Sequence, residues 1–534
     1  MTPRTTLAVL AVGALAALSG IAHVPGAASA GSTTVSPTGS QAGGLAGGIG
    51  PVTQASHPSL LPRTATPVPP LRGFPRRPNI LMITADDLSE LDLPFMPHVR
   101  HLMAQQGVTL SEAEAPTPIC VPARASLLSG QYAHNDGART ISGPHGGYHS
   151  FDEHGTVATS LRAAGYDTLF TGKFLNGYGE HGTAHQVPPG WSDWRATIDP
   201  TTYGFFNPTF DLNGRLEHSH GYSTTVISRQ ANAMLRSPAR ATRPWFAWVN
   251  YVAPHFGGPI EPGDPRRIFR GTSAAIPTTV PAPRDRGRFA AMPLPHRPDL
   301  FEAKRYRRLL PKNSPGRRKV TPKLRRALRM AYDQRLEAVQ GVDRAVAAQL
   351  RVLRRSGQLD DTMVIFASDN GYATGEHNIN GKLWHYDEIV RIPMLIRGPG
   401  VPRDTTVATP VTNPDVAATI IAAAGARPQR TLDGVDIRPW LSAPAQERVV
   451  PIEGWPVTNG DRRLYSGVRF GSYTYVRLRH GREELYDRSS DPYELRNLAK
   501  VPAARHVLEQ LRALDARYRD CRGGSCPTAF YPAT

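Results

Sequence analysis

Short, mainly apolar runs alternate along this chain with longer segments whose apolar residues recur at helical spacing. The runs at residues 79–84, 245–252 and 362–368 have the composition of strands buried on both faces of a parallel sheet. Residues 157–164 and 322–353 instead repeat apolar side chains every three or four positions, as helices that pack on one side do. The pattern therefore predicts an α/β fold, in which a large mixed, mostly parallel sheet lies between helices.

The pattern changes near residue 446. Strand-like segments at 473–478 and 484–487 are followed by a helical segment. We therefore predict a main domain over residues 78–445 and a smaller C-terminal α+β subdomain over residues 446–534.

Residues 1–30 have the features of a secretory signal peptide. Arg4 provides a weak positive start, residues 7–18 form an apolar run too short to span a bilayer, and residues 28–30 are an A-x-A cleavage site. We therefore expect a secreted protein, with an uncleaved N-terminal anchor as the alternative interpretation. Residues 31–77 are rich in Gly, Ser, Thr, Pro and Ala and are predicted to be a disordered linker. Nothing later in the chain approaches the roughly 18 consecutive apolar residues of a membrane-spanning helix, so no membrane span is expected.

The composition of the chain is consistent with a negatively charged partner. The chain has 534 residues, of which 40% are hydrophobic, and a formal net charge of +18. That charge is consistent with nucleic acid, an anionic surface or a sulfated polymer as partner, or with a basic surface of no specific meaning. No nucleic-acid-binding module is recognisable, so no specific nucleic-acid partner is expected. The Pro-rich segment 256–328, with its clusters of Arg, is interpreted either as a basic lip that gathers polyanions or as a solvated loop insertion.

The chain has three cysteines, which is an odd number. Cys521 and Cys526 lie close enough in sequence to form a small disulfide loop, which would leave Cys120 as a single reactive side chain. Three unrelated thiols are the alternative.

Polar side chains follow two of the predicted strands at the point where each strand ends. Asp86 and Asp87 come after the first strand, and Asp369 and Asn370 follow the strand at 362–368. Open α/β sheets bind ligands at the carboxyl ends of their strands. Adjacent carboxylates repel each other unless a cation or an Arg lies between them, and oxygen ligands suit Ca²⁺ or Mg²⁺ rather than zinc. The alternatives are a capping pair and an ordinary Asp–Asn–Gly turn.

The stretch from Cys120 to Gly130 combines a cysteine with the start of a helix. Pro122 suits the first position of a helix, and the residues after it are adequate helix formers. Cys120 would then lie just before a helix N-terminus, where free N–H groups and the helix dipole favour an anion. Arg124, one turn further on, could place its planar fork of donors on such an anion. A buried cysteine before an ordinary helix is the alternative.

This stretch resembles the sulfatase signature, in which Cys begins the pattern C-x-P-[SA]-R and Leu-x-Gly closes it. The resemblance extends over roughly residues 78–500. Its further motifs follow in the family's order: Gly172-Lys173, Ala253-Pro254-His255 and Gly381-Lys382. Many sulfatases have a His two residues after the first of these lysines, where this chain has Leu175. The segment is therefore more similar to the N-acetylglucosamine-6-sulfatase subgroup, which also lacks that His.

The resemblance implies a modified nucleophile and a bound cation. Cys120 would be oxidised to formylglycine by a formylglycine-generating enzyme, and the hydrated aldehyde would attack the sulfur of a sulfate ester. Ca²⁺, or Mg²⁺ in its place, would hold one hydroxyl and one sulfate oxygen as Lewis acid and template. The residues implied as metal ligands are Asp86, Asp87, Asp369, Asn370 and the modified Cys120.

The resemblance also implies roles for the basic side chains. Arg124, Lys173 and Lys382 would balance the charge on the sulfate oxygens, and His255 or Lys382 would protonate the leaving alcohol. Three further residues are expected near the substrate or behind the residues that touch it: His134, Asn135 and His377.

The implied function is that of a secreted sulfuric ester hydrolase acting on an anionic sulfated sugar or glycan, such as a glycosaminoglycan. Two alternatives remain open. The same scaffold could carry a formylglycine-dependent hydrolase of phosphoesters or phosphonates, or the chain could be a non-catalytic binder of polyanions that uses its basic segment.

Overall fold

A ten-stranded sheet organises the part of the chain that the structure describes. The structure is a computed structural model, and the residues it describes are 68–265, 278–290, 292–301 and 321–533. Several features predicted from the sequence lie outside these ranges: the signal peptide at 1–30, most of the linker, and the clusters Arg266-Arg267, Arg307-Arg308 and Arg317-Arg318-Lys319.

Residues 68–77 belong to the segment predicted as linker, but part of this stretch is packed. Leu71 and Phe74 are partly buried against the hydrophobic core, and the guanidinium of Arg438 lies 5.0 Å from the centre of the Phe74 ring. Because these apolar side chains reach the core, the folded region begins before the predicted boundary at Pro78.

The strands of the described residues divide between the large sheet and several small ones. In chain order they are β1 (Asn79–Ala85), β2 (Val108–Leu110), β3 (Ala113–Glu114), β4 (Asp167–Gly172), β5 (Asp193–Thr197), β6 (Thr209–Leu212), β7 (Arg215–His218), β8 (Trp245–Tyr251), β9 (Thr362–Ser368), β10 (Ala373–Thr374), β11 (Asn380–Gly381), β12 (Met394–Arg397), β13 (Thr405–Val407), β14 (Val411–Thr412), β15 (Gln446–Glu447), β16 (Val450–Gly454), β17 (Tyr465–Phe470), β18 (Tyr473–Leu478), β19 (Glu483–Asp487) and β20 (Tyr531–Pro532).

The large sheet is mixed, and its centre is parallel. Its strand order is β13-β2-β12-β9-β1-β8-β4-β5-β6-β7. The neighbouring strands β9, β1, β8, β4 and β5 run parallel to one another, whereas β12 and β6 pair antiparallel with both of their neighbours. In the central register, Thr84 of β1 lies between Asn250 of β8 and Ala367 of β9. The carboxyl ends of these strands therefore meet at one edge of the sheet.

Helices pack on both faces of the large sheet. The α-helices of the described residues are, in chain order, α1 (Pro97–Val99), α2 (Cys120–Ser129), α3 (Ala133–Asp136), α4 (Val157–Ala163), α5 (Ser223–Arg236), α6 (Pro322–Arg355), α7 (Asp387–Val390), α8 (Asn413–Ala423) and α9 (Arg505–Tyr518). One hydrophobic cluster joins α2, α4 and α8 to one face of the sheet, and a second joins α5 and α6 to the other.

The strands and helices predicted from the sequence lie within a residue or two of observed elements, whereas other elements, such as α5, were not predicted. The helix predicted over 322–353 is confirmed as α6, which begins after Thr321, whose hydroxyl accepts a hydrogen bond from the Leu324 N–H at 3.1 Å. The signature helix begins earlier than expected. Its first residue is Cys120, and Pro122 is the third residue, where the missing N–H again costs no helical hydrogen bond.

The C-terminal region has its own small sheet. Strands β16 to β19 form a four-stranded antiparallel sheet beside α9, which confirms the predicted fold class with its smaller α+β subdomain. Cys521 and Cys526 form a disulfide, whereas Cys120 is a buried free cysteine. Across the described ranges, no helix combines the length and the apolar character that crossing a membrane requires.

Candidate active site

Four neighbouring parallel strands end at one edge of the large sheet, and a candidate site residue follows each of them. In sheet order, β9 is followed by Asp369, β1 by Asp86, β8 by a short turn to His255, and β4 by Lys173. The topology thus gathers groups that are far apart in sequence at the edge where open α/β sheets bind ligands.

The close approach of β4 to β8 at this edge requires a glycine. Gly172 has a φ of 104°, and a Cβ at this position would lie 1.9 Å from the carbonyl oxygen of Asn250. A side chain at residue 172 would therefore push apart the strand ends that lead to Lys173 and His255.

Cys120 faces this edge from the first turn of α2. The residue before it, Ile119, is extended, so the chain enters the helix abruptly at the cysteine. The Cys120 Sγ accepts a hydrogen bond from the Lys382 Nζ at 2.6 Å and lies 3.6 Å from Oδ1 of Asp86. The Lys382 segment is tied to the signature segment because the Leu383 N–H donates to the carbonyl of residue 118 at 2.9 Å.

Three buried carboxylates are each paired with a buried cation. Lys173 contacts Asp86, Lys382 contacts Asp87, and the Arg124 Nε donates to Oδ2 of Asp369 at 2.8 Å. The six side chains are only 0% to 5% exposed: Asp86, Asp87, Asp369, Arg124, Lys173 and Lys382. Cationic side chains from other elements therefore lie beside the like charges at the strand ends. This agrees with the expectation that adjacent carboxylates need a cation or an Arg between them.

Most of the Arg124 guanidinium is already used by the protein. Besides Asp369, it donates from Nη1 to the Lys173 carbonyl and to Oδ1 of Asn250, both at 3.0 Å. Its Nη2 lies 3.6 Å from Oδ1 of Asp86 and makes no hydrogen bond to any described residue. Of the Arg124 donors that were predicted to bind sulfate, only Nη2 is therefore left without a hydrogen bond to the described residues. The other donors hold Asp369, Asn250 and the Lys173 carbonyl in place.

The ion pairs shift the carboxyl pKa values in different directions. Burial alone would raise the pKa of Asp86 and of Asp87, but the nearby ammonium groups outweigh it: Lys173 holds the pKa of Asp86 well below its usual value, and Lys382 lowers that of Asp87. Burial, and then repulsion from Asp86, raises the pKa of Asp369 to about 6.

The residues at this edge fit a hard divalent cation. Asp86, Asp87, Cys120 and His255 each offer a ligand atom, and these atoms lie within 4.8 Å of one another. Oδ2 of Asp87 and Oδ1 of Asn370 are buried and accept no hydrogen bond from the described part of the chain. Buried oxygens without donors are costly unless a cation or water satisfies them. Carboxylate and amide oxygens are the ligands that Ca²⁺ and Mg²⁺ prefer.

The environment of Cys120 makes its thiol a poor nucleophile. Burial, and then the negative charge of Asp86, raises the pKa of the Cys120 thiol to about 12, although Lys173 and Lys382 act in the opposite direction. The thiolate is the reactive form of cysteine, and it is scarce at neutral pH with such a pKa.

His255 is held in one orientation. Its Nδ1 lies 2.6 Å from the carbonyl oxygen of Phe256 and must carry the proton that this hydrogen bond needs. The other nitrogen, Nε2, lies 3.7 Å from Oδ2 of Asp87. Burial lowers the pKa of His255 to about 4, against the attraction of Asp86 and Asp87. At neutral pH the ring is therefore neutral, and Nε2 is a proton acceptor.

Three residues at this edge were missed by the sequence analysis. Asn250, inside β8, accepts hydrogen bonds from Arg124 and Thr84, and a polar residue within an apolar strand was a usable signal. The ring of Tyr203 lies 5.0 Å from the Lys173 Nζ and 4.6 Å from the His255 ring. Arg335 of α6 donates to the backbone carbonyl of Asp87 at 2.6 Å. Nothing in the local sequence marks Tyr203 or Arg335.

His134 and Asn135 contact the C-terminal subdomain. The His134 Nδ1 lies 2.8 Å from Oε1 of Glu453, and its Nε2 lies 2.8 Å from the Cys521 carbonyl, to which the Asn135 amide also donates at 2.7 Å. Both residues also line a cavity between the two regions.

His377 and Leu175 are also buried. His377 stacks on Tyr386 at 3.9 Å between ring centres and lies 3.7 Å from Oε2 of Glu388, in a group with Asp299. Leu175 is 2% exposed and belongs to the hydrophobic core, so no polar side chain occupies that position near Lys173.

Comparison with known protein families gives two matches. The model named Sulfatase matches residues 78–426, more than half of the chain. The model named N-sulphoglucosamine sulphohydrolase, C-terminal, matches residues 375–519.

Individual relatives and solved structures agree with these matches. An arylsulfatase from Volvox carteri is 29% identical over 84% of this chain and 76% of that protein. An N-acetylglucosamine-6-sulfatase from Capra hircus is 29% identical over 68% of this chain, which spans 64% of that protein. A solved structure of a protein in complex with its substrate, D-glucosamine-2-N,6-O-disulfate, has a TM-score of 0.66 and 20% identity, over 83% of this chain and 97% of that one. At that identity the structural likeness shows the fold alone.

Proposed function

The chain belongs to the sulfatase family and is a sulfatase enzyme, and from this premise we propose that it removes sulfate from a sulfated sugar or glycan outside the cell. The observation that carries the proposal is the placement of Cys120. Its Sγ lies at the start of α2, 2.6 Å from the Lys382 Nζ and 3.6 Å from Asp86, at the ligand-binding edge of the sheet.

We propose that Cys120 is converted to formylglycine before the enzyme works. The raised pKa of the thiol supports this, because an unmodified Cys120 would carry little thiolate at neutral pH. Formylglycine supplies a hydrated aldehyde, in which one hydroxyl can attack sulfur and the other can then expel sulfate, a route closed to Cys and Ser. A formylglycine-generating enzyme is therefore an expected partner.

A divalent cation completes the site in this proposal. Ca²⁺, or Mg²⁺ in its place, would be held by Asp86, Asp87, Asp369, Asn370 and the modified residue 120. The cation supplies Lewis-acid polarisation of a sulfate oxygen and a template for the nucleophile. The support in this chain is the pair of buried oxygens without donors, on Asp87 and Asn370.

The cationic side chains have distinct parts in the proposal. Lys173 and Lys382 bring buried ammonium groups to the place where charge develops on the sulfate oxygens. Arg124 acts mainly as a positioning residue, since its hydrogen bonds fix Asp369, the Lys173 carbonyl and Asn250.

The proton for the leaving alcohol is assigned to Lys382. Its ammonium already donates to the reacting position, whereas His255 donates its Nδ1 proton to Phe256 and presents Nε2 as an acceptor. His255 is therefore suited to accept a proton from a hydroxyl at residue 120 rather than to donate one to the leaving group.

The relatives and the charge support a substrate class. A relative named N-acetylglucosamine-6-sulfatase, the absence of a His at Leu175, and the net charge of +18 favour a sulfated amino sugar in an anionic glycan. The predicted signal peptide supports a reaction outside the cell.

The decisive experiment measures the modification and the activity on one sample. The tryptic peptide containing Cys120, taken from protein made in its own host, should be lighter by about 18 Da than the thiol form and should react with a hydrazine. The same protein should release sulfate from N-acetylglucosamine 6-sulfate. Cys120→Ala should abolish turnover while leaving the protein folded, because it removes one small side-chain group at the start of α2.

Other outcomes would overturn the proposal in different ways. Faster hydrolysis of a phosphate or phosphonate ester than of the matching sulfate would assign the site to the phosphoester alternative. A peptide that keeps its thiol, together with no turnover, would favour the non-catalytic binder. Full turnover by Cys120→Ala would remove the formylglycine assignment itself.

A further inference from the structure

A cavity of about 550 Å³ lies between the end of the signature region and the C-terminal subdomain, within the size range of ligand-binding pockets. Its wall is dominated by arginines. We call it the arginine pocket, after Arg139, Arg462, Arg463, Arg477, Arg479 and Arg519. Its two carboxylates are Asp461 and Asp520.

The arginines of the pocket are only partly neutralised. Arg463 is paired with Glu453 at 3.0 Å and with Asp520 at 2.8 Å. Arg462, Arg477 and Arg479 are exposed and form no ion pair with any residue that the structure describes. The pocket therefore presents an excess of positive charge to solvent.

One wall of the pocket holds guanidinium groups in fixed positions. The guanidinium carbons of Arg139 and Arg463 lie 5.9 and 5.1 Å from the centre of the Trp455 ring. The Nε of Arg139 is buried and donates to no described residue. A buried donor without an acceptor is costly, and an anionic oxygen is the ligand that would satisfy it.

The wall of the arginine pocket is hydrogen-bonded to the segment that carries Lys382. The Tyr465 hydroxyl, on the pocket wall, donates to the Leu383 carbonyl at 2.9 Å. Leu383 follows Lys382, whose Nζ contacts Cys120. The pocket wall is therefore in direct contact with the segment that carries Lys382.

We propose that the arginine pocket is a second anion site, which binds a sulfate or carboxylate of another sugar of the same glycan. This inference rests on the proposed function and deepens it, because it assigns a sulfated oligosaccharide or polysaccharide, rather than a single sugar, as the preferred substrate. Arginine suits this task since its planar fork matches the paired oxygens of such groups.

The pocket favours a glycan over single-stranded nucleic acid. Nucleic-acid grooves combine positive charge with aromatic rings on which bases stack. The Trp455 ring is covered by Arg139 and Arg463, and Tyr465 is 1% exposed. Recognition in this pocket is therefore ionic, without an open ring for a base.

The test neutralises two exposed arginines. Arg462→Gln/Arg479→Gln should raise the KM for a heparin-derived hexasaccharide about tenfold, as the loss of two charge contacts predicts. Turnover of 4-nitrophenyl sulfate, which is too small to reach both sites, should stay at the wild-type value. The matched control is Arg351→Gln/Arg354→Gln, which removes the same charge from exposed positions on α6.

A binding measurement separates this inference from the proposed function. Hexasaccharide affinity, measured by calorimetry in a Cys120→Ala background, needs no turnover and should fall about tenfold with the pocket variant. An inactive wild type with this loss of affinity would remove the proposed function and keep the anion site. The anion site would be overturned if the enzyme is active and the hexasaccharide has the same KM and the same affinity in the pocket variant as in the α6 control variant.

Two further probes define the ligand. Desulfated heparin oligosaccharide should bind the wild-type pocket more weakly than the sulfated form if sulfate is the recognised group, and equally if carboxylate is. A single-stranded DNA oligomer of equal charge that binds as tightly as the hexasaccharide, and loses affinity in the pocket variant, would overturn the assignment to a glycan.

Discussion

The Arg124 Nε donates to Oδ2 of Asp369 at 2.8 Å, across 245 positions of sequence. Arg124 lies one turn into α2, whose first residue is Cys120, and Asp369 directly follows β9. Both side chains are essentially excluded from solvent. This ion pair therefore fixes the position of the reactive residue relative to the strand end that is proposed to hold the cation.

Removing Arg124 should destabilise the metal-free protein strongly. Arg124→Ala leaves the buried Asp369 carboxylate without its partner, and breaking a buried pair in this way typically costs about 3–5 kcal/mol. Urea unfolding in the presence of a chelator measures the loss. Added Ca²⁺ should restore part of it, because a bound cation would compensate the same carboxylate.

The control for this prediction is an exposed ion pair. Arg162 lies 3.5 Å from Asp167 and is 48% exposed, so Arg162→Ala should cost about 0–1 kcal/mol. If Arg124→Ala costs no more than Arg162→Ala, the pair with Asp369 does not hold the site together.

Calcium should stabilise the folded protein through Asp369. A ligand that binds only the folded state adds about 2.7 kcal/mol when it is present at 100 times its Kd. Thermal unfolding with and without Ca²⁺ should show a rise for the wild type and none for Asp369→Ala. The matched control is Asp361→Ala, which removes an exposed carboxylate just before the other end of β9 and should keep the calcium response. A calcium response that survives in Asp369→Ala would exclude Asp369 as a ligand.

Lys382 should matter most for substrates with poor leaving groups. If its ammonium protonates the leaving oxygen, Lys382→Gln should lower kcat about 10²- to 10⁴-fold on a sugar sulfate. The loss on 4-nitrophenyl sulfate should be much smaller, because nitrophenolate leaves without a proton. The measurement is kcat for both substrates, made with Ca²⁺ present.

Lys173→Gln is the matched comparison for Lys382. Lys173 also contacts a site carboxylate, but the hydrogen bond to the Cys120 Sγ comes from Lys382, so the loss of Lys173 should slow both substrates by the same factor. Equal losses on both substrates in Lys382→Gln would show that Lys382 balances charge and does not transfer the proton.

Much of the site could be predicted from the sequence because strand ends are local features. The apolar run of β1 marks where Asp86 and Asp87 must lie, and the run of β9 does the same for Asp369. Parallel topology then brings these ends together without further information. The signature around Cys120 adds the proposed nucleophile.

The remaining features depend on contacts between distant segments. The sequence gives Arg124 a fork of donors, but only packing decides that the fork is occupied by Asp369, Asn250 and the Lys173 carbonyl. The arginine pocket could not be predicted for the same reason, because nothing in the sequence relates the segment of Arg139 to the segment of Arg479. The packed residues Leu71 and Phe74 show the same limit, because a Pro-rich stretch carries no periodicity from which its docking could be predicted.

His134 should make the contact between the main domain and the C-terminal subdomain sensitive to pH. Burial disfavours its charge, but the hydrogen-bonded carboxylate of Glu453 outweighs burial and raises the pKa of His134 above 6.5. The folded state therefore binds this proton more tightly than the unfolded state does. The resulting stability is fully present below about pH 6.5 and is lost as the pH rises through the folded pKa.

The measurement is the free energy of unfolding at pH 6 and pH 9 for the wild type and His134→Gln. Hydrogen bonds to charged groups contribute about 1.5–3 kcal/mol, so the wild type should exceed the variant by about that much at pH 6 and by clearly less at pH 9. The difference between the two proteins cancels the titration of other groups. The control is His154→Gln, since His154 also lies beside a carboxylate, Asp152, but is 78% exposed and should show almost no such difference. An advantage of the wild type that is the same at both pH values would mean that His134 acts only by packing, because a neutral contact does not depend on the proton.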